Sequence, residues 1–202
     1  MGSVSSHRNK VSIVKYEILE SGRYYHIYNR GNNKENIFIE EKNYFYFLQL
    51  LKKHILPITE IYAYCLLPNH FHLIIRTKDT VENKNLSQGF SNVFNAYAKA
   101  INKSYQRSGS LFQRKFSRIK IEDETYLKNL VLYTYTNSQH HNIVVGFTSY
   151  PHSSYHAYLS SKPTNISKEY ILELFGGKKN FKACHLQKSD ILLEQLKEYL
   201  LE

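Results

Sequence analysis

At 202 residues the chain has the length of one domain with a small appendage, and 42% hydrophobic against 22% charged residues give it a core to bury. Twenty-seven Lys and Arg against 17 Asp and Glu leave a formal charge of +10, the balance of a protein that meets a polyanion. The lack of a long apolar run, of an apolar leader and of more than two cysteines argues against a membrane span, a secretory signal and a disulfide framework, and points to a reducing cytoplasm.

Residues 1–20 are polar and aperiodic and are expected to form a flexible arm. Arg23 to Asn29 is aromatic-rich and predicts a strand, closed by the turn Arg30-Gly31-Asn32-Asn33. From Glu40 to Leu56, Tyr44, Phe47, Leu48, Leu51 and Ile55 recur at helical spacing, and Pro57 ends the run. Ile58 to Leu67 and His70 to Thr77 predict two strands of a hairpin around Pro68-Asn69. Asn85 to Tyr105 carries the apolar stripe of a long helix, broken by Ser108-Gly109. Leu111 to Ile121 predicts a fourth strand, and Asp123 can cap a helix that runs to about Thr136. A β-α-β-β-α-β order is the ferredoxin-like (RRM-like) α+β arrangement, an antiparallel sheet with helices on one face. That domain is expected over 21–158. Residues 159–202 then form a helical C-terminal extension: Glu169–Phe175, a Gly176-Gly177 stop, and Ser189–Leu201.

The most specific chemistry lies in Pro68-Asn69-His70-Phe71-His72. Alternation along a strand sends His70 and His72 to one face, a fork that suits a metal ion, although two histidines on a polar sheet face would read the same way. On a polar face, neither imidazole would be needed by the fold. On the third helix, Tyr133 and Asn137 stand at i and i+4, beside the arc of Leu127, Leu130, Val131 and Thr134 expected to pack on the sheet. A core-edge tyrosine followed by an Asn cap fits that spacing too. Tyr126, two turns earlier, is the rival hydroxyl. Tyr97 belongs to an apolar stripe, and Cys65 to an apolar strand as an inert thiol. His140-His141 reads as solvated or phosphate-facing. His152 and His156 bracket a Ser153-Ser154-Tyr155 capping and packing element.

In the fourth predicted strand, Phe112, Arg114, Phe116 and Arg118 alternate onto one face, an arrangement that could stack bases and pair phosphates, with Lys115 beside them. Arg30 and Asn33 of the first turn are further candidates for DNA contact. Lys99, Lys103 and Arg107 add charge on the second helix.

Taken together, these motifs resemble a family. Tyr25-His26-Ile27-Tyr28-Asn29-Arg30-Gly31-Asn32, Pro68-Asn69-His70-Phe71-His72, Arg107-x-Gly109-x-Leu111-Phe112, Tyr133-Thr134-Tyr135-Thr136-Asn137 and Pro151-x-Ser153-Ser154-Tyr155 are similar to the REP-associated tyrosine transposases of the single-strand (HUH) superfamily. Where that family has Asn-Pro, this chain has Asn137-Ser138, which leaves the helix end open. The resemblance implies His70, His72 and Asn137 as ligands of Mg²⁺ or Mn²⁺ and Tyr133 as the nucleophile. Single-stranded DNA hairpins would be cleaved and rejoined through a 5′-phosphotyrosine. It implies a nucleoid-associated enzyme and is compatible with a homodimer. A replication-initiation-type nickase and a non-catalytic RRM-like binding module are the alternatives.

Overall fold

In the computed structural model, residues 16–113 and 115–187 are described; Arg114 and the expected helix Ser189–Leu201 lie outside them. Strands β1 (Tyr24–Arg30), β2 (Thr59–Leu67), β3 (His70–Thr77) and β4 (Ser117–Ile121) form one antiparallel sheet in the order β2-β3-β1-β4. Helices α1 (Glu41–His54) and α2 (Asn83–Ser104) make the two crossovers, as the β-α-β-β-α-β order requires, and α3 (Glu124–His140) follows β4. Among the described residues, no helix is long and apolar enough to cross a membrane.

The register assigns every side chain to a face. Tyr25, Ile27 and Asn29 stand opposite Ile75, Leu73 and Phe71, and Arg118 and Lys120 oppose Ile27 and Tyr25 from β4. Phe71 meets Phe47 of α1 and Phe94 of α2 at ring distances of 5.1 and 5.6 Å. The other face carries His26, Tyr28, Arg30, His70, His72 and Ile74. Both faces are covered, so β1 and β3 are buried almost without alternation.

The two helices of the β-α-β-β-α-β unit share one face as expected, and the second cover comes from the helix that follows it. Helices α1 and α2 cover the first face, and α3 lies on the second, against β2, β3 and β4. The reason is apolar: Ile74, Ile119 and Ile121 share the second face with the histidines and need a lid, which Leu127, Leu130 and Val131 supply, while Cys65 and Leu67 on that face pack with Tyr150 and Val144. Asp123 caps α3, its carboxylate accepting from the Tyr126 amide at 2.7 Å. With Ser138 in place of a proline, the helix runs on past Asn137 to His140.

The fourth strand is shorter than predicted. Among the described residues ahead of β4, Phe112 and Phe116 turn inward onto α2, 5.4 and 5.1 Å from Phe94. They belong to the core, and Arg118 rests over the Phe116 ring on the same side of the sheet.

The C-terminal extension is packed on this core. Helices α4 (Tyr155–Leu159), α5 (Glu169–Leu174) and α6 (Lys178–Gln187) place Phe175, Phe181 and His185 around Tyr135, Tyr155 and Tyr158, with Tyr158 stacked on Phe181 at 4.5 Å. Gly176 and Gly177, at φ of 72° and 100°, make the left-handed turn that lets α6 restart at once. Both margins of the sheet are occupied. Tyr16 and Glu17, in the segment expected to be a flexible arm, pair alongside Arg118 of β4, and Leu19 is buried. Beside β2, Leu66 donates to the His152 carbonyl at 2.9 Å, Ser154 to Tyr64 at 3.0 Å, and Ser167 to Ile61 at 2.9 Å.

Candidate active site

The site is assembled where the start of β3 passes under α3. Pro68-Asn69 turns the hairpin, and the Asn69 side-chain oxygen lies 2.6 Å from His70 Nδ1. The Asn69 carbonyl accepts from the Gly31 amide at 2.8 Å, so the first turn is tied to the second. Gly31 is required there, because a Cβ would stand 2.0 Å from the Glu35 carbonyl oxygen.

His70 and His72 share the α3 face, their rings 5.2 Å apart and nearly perpendicular. Both are buried, His72 completely. The Asn137 side-chain nitrogen donates to His72 Nε2 at 3.1 Å, and His72 Nδ1 lies 2.9 Å from His26 Nε2. Tyr133, one helical turn before Asn137, sets its ring edge-on to His72 at 5.6 Å and is 5% exposed. Tyr28 stacks on both His26 and His72, at 4.9 and 5.8 Å. His141 approaches His70 at 4.7 Å and His140 approaches Tyr133 at 6.3 Å, forming the solvent rim. The structure thus brings His70, His72, Tyr133 and Asn137 together, and sets His140-His141 beside them.

Other tyrosines are separated by their surroundings. Tyr135, two residues on, faces away from the sheet histidines; its hydroxyl is 2.8 Å from Ser154 Oγ, and burial pushes its phenol well above the ordinary value. Tyr97 donates to the Ile37 carbonyl at 2.7 Å inside the core, and burial raises it too. Tyr126 is seven residues before Tyr133, about 10 Å down the helix axis. Burial likewise holds the Cys65 thiol protonated. The Ser153-Ser154-Tyr155 element is a packing device: Ser154 Oγ accepts from the Tyr64 amide at 2.9 Å and does not cap α4.

His26, known from the sequence only as part of the Tyr25–Asn32 motif, also belongs to the site. Its signal is the alternation Tyr24, His26, Tyr28, but only the β1–β3 register places it next to His72.

The basic candidates separate into two groups. Arg30 opposes His70 on the site's own face, and its buried Nε has no hydrogen-bond partner among the described residues. Asn33 is exposed in the following turn at φ 52°. Arg118 lies on the opposite face of the sheet, donating to the Glu17 carbonyl and resting 5.0 Å from the Phe116 ring. Lys115 is exposed, 5.6 Å over Tyr16. Arg118 and Lys115 line a cleft of about 480 Å³ with Asn29, Asn95 and Phe112. Lys99 and Lys103 are exposed on α2, whereas Arg107 is engaged by Glu35.

No family profile matches the chain. A Haemophilus influenzae protein, provisionally named as a REP-associated tyrosine transposase, is 28% identical over 130 residues, covering 61% of this chain and 70% of its own length. A solved structure of a REP-associated tyrosine transposase bound to a REP hairpin superposes with a TM-score of 0.59 at 16% identity, over 79% of this chain and 93% of that one. The chain is similar to REP-associated tyrosine transposases. The structural likeness supports the fold, a four-stranded antiparallel sheet with helices.

The resemblance to REP-associated tyrosine transposases implies a divalent metal. Among the described residues, no three His, Cys, Asp or Glu side chains converge as a metal-binding group. Asn137 would serve as a further donor once its amide turns: its Oδ1 is buried and has no hydrogen-bond partner among the described residues, while its Nδ2 faces His72 Nε2. Two imidazole nitrogens with one amide oxygen form a mixed set that suits Mn²⁺ and tolerates Mg²⁺.

Proposed function

We propose that the chain is a metal-dependent tyrosine transposase that cleaves and rejoins single-stranded DNA at hairpin sites through a 5′-phosphotyrosine intermediate. The observation that carries this reading is the seating of Tyr133 and Asn137, one helical turn apart, against His72. The likeness to a REP-associated transposase, and to one bound to a REP hairpin, supplies the substrate class.

His70, His72 and Asn137 would hold a Mg²⁺ or Mn²⁺ ion, which when bound neutralises charge gathering on the scissile phosphate. Arg30, beside His70, would bind a non-bridging phosphate oxygen or its neighbour. The Tyr133 hydroxyl attacks phosphorus. A P–O bond forms to the phenol oxygen, the bond to the 3′ oxygen breaks, and the phenol's proton is balanced by the proton the 3′ hydroxyl gains. Reversal by another 3′ hydroxyl rejoins DNA with no nucleotide cofactor. All four groups come from one chain, which supports a site complete in a monomer.

Incubation with a hairpin-bearing single strand and Mn²⁺, followed by a denaturing gel and peptide mapping, tests the reading. A covalent adduct on Tyr133 is expected. An adduct on Tyr126 would move the nucleophile. Failure to form an adduct with either metal would favour a binding module.

A further inference from the structure

His26 is fully buried, and its Nε2 lies 2.9 Å from Nδ1 of His72. The other nitrogen of His72, Nε2, receives the Asn137 amide hydrogen at 3.1 Å. An imidazole that accepts at Nε2 carries its single proton on Nδ1 when neutral. His72 therefore donates from Nδ1, and His26 Nε2 is the acceptor. Turning the His72 ring over would exchange both nitrogens for carbons and lose both bonds. Stacking by Tyr28 on the two rings, and the apolar cross-strand neighbours Ile74 and Ile119 of His26, hold the pair in place. Histidine ligands of metals are commonly oriented this way by a carbonyl or carboxylate on the ring nitrogen away from the metal. Here the partner is a second imidazole, delivered by the central strand.

We propose that His26 is a positioning residue that fixes the ring orientation and tautomer of His72, so that Nε2 keeps the lone pair a divalent cation needs. This rests on the metal reading above, and the two can fail separately. Nitrogen-15 NMR of the metal-free parent should show His72 as the Nδ1–H tautomer; an Nε2–H tautomer overturns the proposal whatever the metal does. Mn²⁺ titration followed by electron paramagnetic resonance should then separate two variants. His26→Phe keeps a ring but removes the acceptor, and should bind Mn²⁺ roughly 10- to 100-fold more weakly. His26→Gln places an amide oxygen near the Nε2 position, and should return to within about threefold of the parent. A purely packing role would rank the two the other way, and His26→Phe binding as tightly as the parent overturns the proposal. If the parent takes up no Mn²⁺, the metal reading fails while the tautomer still tests His26. If His26→Phe does not fold, the His72 tautomer in the parent and in His26→Gln decides.

Discussion

Beneath α1 and α2, strand β3 sets down Phe71, Leu73 and Ile75; one residue out of phase, beneath α3, it sets down His70, His72 and Ile74. The same eight residues build an apolar core on one side and present two histidines on the other. A strand's period of two makes this possible: what anchors the histidines is the phenylalanine between them. The histidine face is closed almost as well as the apolar one, but by hydrogen bonds among His26, His72 and Asn137, and not by ring packing alone.

The largest contrast concerns chemistry. Tyr133→Phe should abolish the covalent DNA adduct on a denaturing gel, with hairpin affinity in a filter-binding assay within about twofold, since uniform binding is untouched. Tyr126→Phe should leave the adduct in place. Stability sharpens the comparison next. Phe71→Ala removes an anchor between α1 and α2 and should cost about 3–5 kcal/mol in urea unfolding. The protein that remains folded should still bind Mn²⁺. His72→Ala should lose Mn²⁺ binding and, because it strands buried partners, also cost about 1–3 kcal/mol. A His72→Ala protein as stable as the parent would mean that the face beneath α3 is not sealed.

Another histidine gives a control away from the site. His185 is buried among aromatics behind α3, and that burial lowers it from 6.5 to about 4, against the pull of the Phe181 carbonyl it donates to at 2.7 Å. The unfolded chain takes up this proton near 6.5 and the folded one only near 4. Between those values the unfolded state binds more protons, so stability falls as pH drops through that window. The loss is at most about 3 kcal/mol and levels off below it. Urea unfolding at neutral and acid pH should show this, and His185→Gln should flatten it.

The smallest effects fall on the arginines. Arg30→Ala should reduce the salt slope of single-strand binding by about 0.7, the share of one phosphate contact, and slow adduct formation as well. Arg118→Ala, on the far face, should leave adduct formation at saturating DNA unchanged. If Arg118→Ala slows the chemistry and Arg30→Ala does not, the path of DNA over the molecule has been drawn on the wrong side.

Much of this was legible in the residues. Pro68-Asn69 and the alternation after it predict β3 from His70 to Thr77, the bounds observed. Asp123 predicts the start of α3, and the spacing of Tyr133 and Asn137 predicts that they share a helix flank. Pairing was harder to read. His26 meets His72 only through the register of two strands more than forty residues apart, which no local pattern encodes. The apolar stripe of α3 announces a buried face but does not by itself say which side of the sheet it covers; the partnership of Tyr133 and Asn137 with the histidines does. Phe112 and Phe116 alternate as a strand would, yet the apolar row on α2 captures both, a tertiary preference that overrides the local period.

The two occupied margins of the sheet bear on crowding. An open strand edge is a template on which a neighbouring chain can add its own strand. With Tyr16 and Glu17 laid beside Arg118 of β4, and the backbone around His152, Ser154 and Ser167 laid along β2, part of each edge is already bonded within the chain. Copies gathered on one DNA strand would meet through helices and loops, where contact is reversible, and would resist zipping into the stacked sheets of an aggregate.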